Sequence, residues 1–276
     1  MVAAVALALL LTACGGGDDR IDHPVGAGEL VLRVEAGGGL VPPDYNLHQL
    51  PSFSLYGDGR LVTPGPQIAL YPGPALPNLL ERPLSEEGVQ AILAAARDAG
   101  LLGPNRHYDA PGIMDAATTT FTVVADGAKH VISAYALGLE VPSPPGVSEE
   151  ELEARKALLD FSAKLFDGSW LPEGSLGEEA PYAFTELRVY ARPYDTSPEP
   201  GLEQPERPWP LAEPLASFGR PAGNLLPDLR CGAVSGEELA TLLPEAQASN
   251  ELTPWASGGA RYLLVFRPLL PDEHGC

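Results

Sequence analysis

Several short runs of the chain alternate apolar and polar residues, the signature of strands with one buried face. Leu30–Val34 is one such run, closed by Gly37–Gly39. Ser52–Tyr56 and Arg60–Pro64 flank Asp58-Gly59, a dipeptide suited to the left-handed angles of a two-residue hairpin turn. A second hairpin is expected from Thr118–Ala125 and Ala128–Tyr135 around Asp126-Gly127. Its register sets Phe121 opposite Ile132 and Val123 opposite His130 on one inward face. Further strands are expected at Phe184–Ala191 and Arg261–Arg267.

The pattern switches to helical spacing in three places. Ser85 precedes Glu86 and Glu87, and Val89, Ile92, Leu93 and Ala96 recur before Gly100. Ser148 and Glu151 form a capping box ahead of Leu152, Leu158, Phe161 and Leu165, with Gly168 as the stop. Ser235 with Glu238 suggests another, leading into Leu239, Leu242 and Leu243. Pro244 should end or kink that helix, because it lacks an N–H and its ring crowds the preceding turn. The expected fold class is α+β: antiparallel hairpins and sheet with about three helices packed on one face. A soft boundary near Pro172–Pro181 divides residues 28–171 from 181–276, and the two halves could share one sheet or form two domains. Between the last two helices, Pro193, Pro198, Pro200, Pro205, Pro208, Pro210 and Pro214 exclude a helix or a central strand and point to an extended surface wrap.

The amino terminus has a different pattern. Val2–Ala13 is apolar throughout except for Thr12. It is shorter than the roughly 20 residues that span a bilayer, but it fits the apolar region of a secretory signal. It ends in Leu11-Thr12-Ala13-Cys14, and Gly15-Gly16-Gly17-Asp18-Asp19 follows. No Lys or Arg precedes the run, so a start codon further upstream is expected.

Composition narrows the function classes. The net charge is −20, without a basic cluster, so the chain is repelled by nucleic-acid phosphates and by anionic headgroups. Thirty prolines and thirty glycines indicate many turns. Beyond Cys14 the cysteines are Cys231 and Cys276, which an oxidising compartment would join in a disulfide.

Motifs that carry chemistry are sparse. There is no P-loop, no Gly-x-Ser-x-Gly nucleophile turn and no EF-hand loop. His107, Asp109 and Asp115 are the weak catalytic candidates, grouped on one Pro- and Gly-rich loop, although their spacing matches no zinc pattern. Neither a metal site nor a cofactor is expected. Tyr45, Tyr182, Tyr190, Tyr194, Trp209 and Trp255 could line a ligand surface, but buried packing is the more ordinary use of the two tryptophans.

Leu11–Cys14 resembles the bacterial lipobox. With the Gly/Asp tether, the Asp-Gly hairpins and the Arg267–Glu273 tail ending in cysteine, the whole looks like uncharacterised lipoproteins of actinobacterium-like bacteria. The resemblance implies a cleaved signal peptide over 1–13, a diacylglycerol on the Cys14 thiol, and a flexible tether over 14–27. The protein would then sit on the outer face of the cell membrane through its lipid anchor. The expected role is non-enzymatic binding of a protein or envelope component. An extracytoplasmic hydrolase built around His107, Asp109 and Asp115 is the alternative. Each buried methylene of an anchor contributes about 0.8 kcal/mol, so two acyl chains hold far more firmly than one. Cys14→Ser should therefore release the processed protein from the detergent phase; unchanged partitioning after signal removal would rule out lipidation at Cys14.

Overall fold

The computed structural model describes residues 20–139, 146–194, 200–223, 226 and 228–276. The expected signal segment over 1–13, Cys14 and the expected tether as far as residue 19 lie outside them. The first half runs β1 (Leu30–Gly37), α1 (Pro43–His48), β2 (Phe53–Tyr56), β3 (Arg60–Pro64), β4 (Leu79–Pro83), α2 (Glu86–Asp98), β5 (Arg106–Tyr108), β6 (Thr118–Ala125), β7 (Ala128–Tyr135) and α3 (Glu149–Asp167). The second begins with β8 (Ala180–Pro181) and continues through β9 (Glu186–Pro193), β10 (Arg207–Pro208), β11 (Arg220–Pro221), β12 (Arg230–Ser235), α4 (Gly236–Gln247), β13 (Pro254–Ser257) and β14 (Ala260–Pro268).

The α+β class holds, with two separate sheets. One has the order β5-β7-β6-β1-β2-β3-β4-β8, the other β10-β13-β14-β9-β12-β11. Apart from the two-residue β8, which joins the first sheet through β4, each half keeps its own sheet. The helices are distributed over both sheets. A short α1 is added, and α4 packs on the second sheet while α2 and α3 cover the first. Pairing is antiparallel except for β5 with β7 and β10 with β13.

The Asp126-Gly127 hairpin has the expected register, with Phe121 opposite Ile132 and Val123 opposite His130. Both turn residues take positive φ, 49° and 71°, as a two-residue turn between twisted strands requires. The first hairpin departs from expectation. Leu55 pairs with Leu61, leaving Gly57-Asp58-Gly59 as a three-residue connection. Position 57 has no room for a side chain, because a Cβ there would lie 2.6 Å from Pro24 O. The α2 and α3 caps form as read, Ser85 accepting from Gly88 N and Ser148 sharing its reciprocal box with Glu151. Ser235 makes no side-chain cap. It remains extended in β12, and the turn into α4 is made by Gly236 at φ 54°. Pro244 does not end α4, which continues to Gln247. Leu242 and Ala246 on either side are fully buried against the sheet, and Ala248 N–H still bonds Pro244 O.

The tether ends earlier than expected. Residues 20–27 are pinned to the first half: Ile21 is buried, and Gln90 bonds both its N–H and its C=O at 2.9 Å. Asp126 N donates to Asp22 O at 2.7 Å, while Arg20 and His23 both reach Glu86. Burial pushes the Glu86 carboxyl up, but its bonds from His23 and Gln90 outweigh this and hold it below the usual carboxylate range.

Each half has its own core. In the first, Phe53, Leu55, Phe121 and Val123 pack against Ile92, Leu93, Leu158 and Phe161 of the two helices. In the second, the expectation that the tryptophans are packing residues holds. Trp209, from the proline-rich segment, meets Phe218 and Trp255 edge-on at 5.5 and 6.2 Å, and Trp255 meets Phe266 at 5.7 Å.

The halves meet on the other face of the first sheet. Tyr56, Val62 and Leu79 pack there with Tyr182 and Leu270. Polar bonds fix the turn after β14 to this face. Arg33 Nη2 donates to Asp272 at 2.6 Å, and Tyr56 Oη donates to the same oxygen at 2.9 Å. Arg267 forks onto both oxygens of Glu273 at 2.7 and 2.8 Å, and its Nε donates to Gln49 O at 3.0 Å. Burial alone would lower Arg33, but the bond to Asp272 and the nearby negative charges raise it. Burial is also the main reason Tyr56 is pushed far above the usual phenol range. Beyond the turn, Gly275 O accepts from Arg188 at 2.6 Å, and Cys276 is bonded to Cys231 with 5.9 Å between Cα atoms. The expected disulfide is thus formed. In the chain-entropy picture a closure spanning 45 residues contributes on the order of 4 kcal/mol.

Burial raises Glu273, yet its Arg267 partner and the Leu270 N–H more than compensate, leaving its carboxyl below the usual range. A depressed folded value contributes stability above the unfolded carboxylate value, and that stability is lost as pH falls through the folded value. Glu273→Gln should cost about 3 kcal/mol at neutral pH, because it strands a buried guanidinium. The variant should also lose part of the wild-type acid dependence below the usual carboxylate range. Urea unfolding from pH 7 downward checks both effects.

Candidate functional site

The strands of the first sheet have two ends of different character. At one end lie the residue 57–59 and 126–127 turns, the start of α2, and Ile21 and Asp22 where the chain enters. The register of β1 with β2 and β6 puts segments 38–52, 65–78, 109–117 and 136–139 at the opposite end. Seven of the ten exposed large apolar side chains among the described residues project from those segments: Leu40, Tyr45, Ile68, Leu70, Tyr71, Met114 and Leu139. Leu40 and Met114, at 81% and 83% exposure, are neighbours, because Leu40 N donates to Asp115 O at 3.1 Å. Isolated exposed apolar residues are ordinary; here most of those among the described residues gather at one end of the sheet.

Segment 65–78 contains no Asp, Glu, Lys, Arg or His, although a fifth of the whole chain is charged. It arches from the first half to the second, with Ala75 N bonded to Ser249 O at 3.2 Å and Glu251 N to Gly73 O at 3.0 Å. Beneath its second part lies a cleft of about 480 Å³. Leu76, Pro77 and Leu79 form one wall, Tyr182 and Phe184 a second, and Leu243 with Gln247 of α4 the third. Burial pushes the Tyr182 phenol up to about 12, and its hydroxyl donates to Leu269 O at 3.0 Å. Smaller hollows lie beside Arg267 and Gln49, against Trp170 below α3, and next to the disulfide, at about 280, 220 and 320 Å³.

The sequence candidates occupy other positions. His107 sits exposed on the edge strand β5, its Nδ1 bonded to Ser133 Oγ at 2.8 Å. Asp109 accepts from the N–H of Ala110 at 2.9 Å, a local turn bond. Asp115 adopts φ 61° in the turn that supports Leu40. Among the described residues, no group of three or more His, Cys, Asp or Glu side chains could hold a metal ion. Sequence reasoning overlooked segment 65–78 and the cleft. The available signal was fourteen consecutive residues without charge in a strongly acidic chain.

No family model, curated protein or solved structure matches the chain. Among the described residues, no helix is long and apolar enough to cross a membrane.

The His107 bond to Ser133 is a surface contact, so His107→Ala should change stability by no more than about 0.5 kcal/mol. The full chain purified without chelator should contain no stoichiometric transition metal by elemental analysis. A bound metal lost in His107→Ala would instead establish a metal site at that loop.

Proposed function

We propose that the chain is an extracytoplasmic, lipid-anchored binding protein that engages an envelope partner through the exposed apolar rim. The observation that carries this reading is the segregation of apolar loops to the end of the sheet opposite Ile21. Leu11–Cys14 and the Cys231–Cys276 bond support the address, since such bonds persist in oxidising compartments. The short tether supports the orientation. From Cys14 to Arg20 an extended chain reaches only about 20 Å. The eight residues of β6 already span about 25 Å, and the rim loops lie beyond its end. A lipid on Cys14 therefore cannot bring the rim down onto the same membrane with the domain inverted. The rim faces outward, where a partner with an uncharged apolar surface avoids the repulsion that a −20 chain exerts on acidic surfaces.

A photo-crosslinking residue in place of Tyr71 should give a discrete adduct in intact cells. Ile68→Glu with Leu70→Glu should abolish it without shifting Tm by more than a few degrees. An adduct pattern identical to that from a probe at Glu87, by the chain entry, would overturn the reading.

A further inference from the structure

We propose that the cleft between the halves is a binding site for an uncharged, largely apolar small molecule with one or two hydrogen-bonding groups at one end. The proposal is independent of the rim's partner, because the cleft has its own walls and its own chemistry. At about 480 Å³ it falls within the usual range of small-molecule sites, about 300–1,000 Å³.

The character of the walls selects the ligand. Leu76, Phe184 and Leu243 are each partly exposed to the cleft while packing on the second core, and Phe184 also touches the cluster that joins the halves. Their apolar surface stays wet unless something covers it. No Asp, Glu, Lys or Arg lines the cleft among the described residues, in a chain with 37 acidic and 17 basic side chains. A charged ligand would lose its hydration there and gain no counter-ion, which favours a neutral one.

The same walls disfavour an extended peptide. Such a peptide brings a polar group at every residue and needs backbone donors and acceptors to meet them. Pro74, Pro77 and Pro181 have no N–H to offer, and the Tyr182 N–H is already bonded to Leu79 O at 2.9 Å. Leu243 and Gln247 contribute backbone that is part of α4. Among the side chains that line it, the polar groups not already spent are the neutral amides of Asn78 and Gln247, both exposed, with Asn78 Nδ2 donating to Pro66 O at 3.0 Å and its Oδ1 left to accept. An apolar body with a hydroxyl or amide head matches that division.

The test uses the full chain in its membrane and a photoreactive probe, a ten-carbon alkyl diazirine ending in an alcohol. Labelling should saturate, map to peptides carrying residues 74–79, 181–184 and 243–247, and be displaced by unlabelled decanol. The same probe ending in a carboxylate should label these peptides at least tenfold less. Leu243→Glu should reduce labelling at least tenfold with the Cys231–Cys276 bond still formed. If that variant does not fold, Gln247→Glu, exposed on α4, should weaken labelling at least threefold. Labelling that does not saturate, that falls elsewhere, that is equal for the carboxylate probe, or that survives these substitutions in folded protein would overturn the proposal.

Discussion

Two neighbouring carboxylates, Asp272 and Glu273, are held in one tight turn between the halves, and the structure depends on each having its own arginine. Side by side and partly desolvated, they would repel each other, and in so acidic a chain no general excess of cations relieves them. Arg33 comes from the first sheet and takes Asp272; Arg267 comes from the second and takes Glu273 while bonding Gln49 O of the first half. Each pair therefore ties its carboxylate to a different sheet. The apolar contact of Tyr56, Val62 and Leu79 with Tyr182 and Leu270 gains a fixed register from this arrangement. The cleft inherits its shape from the same docking, since its walls come from both halves.

Local features of the fold were legible in the sequence. The second hairpin follows from Asp126-Gly127 and two alternating runs, and α2 and α3 follow from caps and spacing, because neighbouring residues determine those structures. The readings that failed involved tertiary override. Gly57 lies in the turn where the backbone of Pro24–Gly26 leaves no room for a Cβ, and α4 does not end at Pro244, with Leu242 and Ala246 on either side buried in the second core. Composition extends the expected tether to residue 27, yet Ile21 is buried and bracketed by Gln90, and Arg20, Asp22 and His23 bond Glu86 and Asp126, contacts that only the folded chain brings together.

The candidate sites were less legible, for a related reason. Arg33 and Asp272 are 239 positions apart, and the cleft gathers three distant segments, so no local spacing could announce either. His107, Asp109 and Asp115 drew attention because they are close in sequence, but their bonds are to Ser133 and to local backbone. The informative signal was a stretch without charge. In a chain whose solubility rests on acidic residues, residues 65–78 keep none, and three of their apolar side chains stay in water.

The way the chain enters the domain has a mechanical consequence. Ile21 and Asp22 lead within a few residues into β1, which lies inside the first sheet and is hydrogen-bonded on both sides, to β2 and to β6. A pull along the axis of that strand acts at right angles to its ladder bonds. Both ladders would then be loaded in shear, with many bonds sharing the force instead of opening in turn like a zipper. A pull along the strands, from this end of the sheet to the other, therefore meets more resistance than one across them.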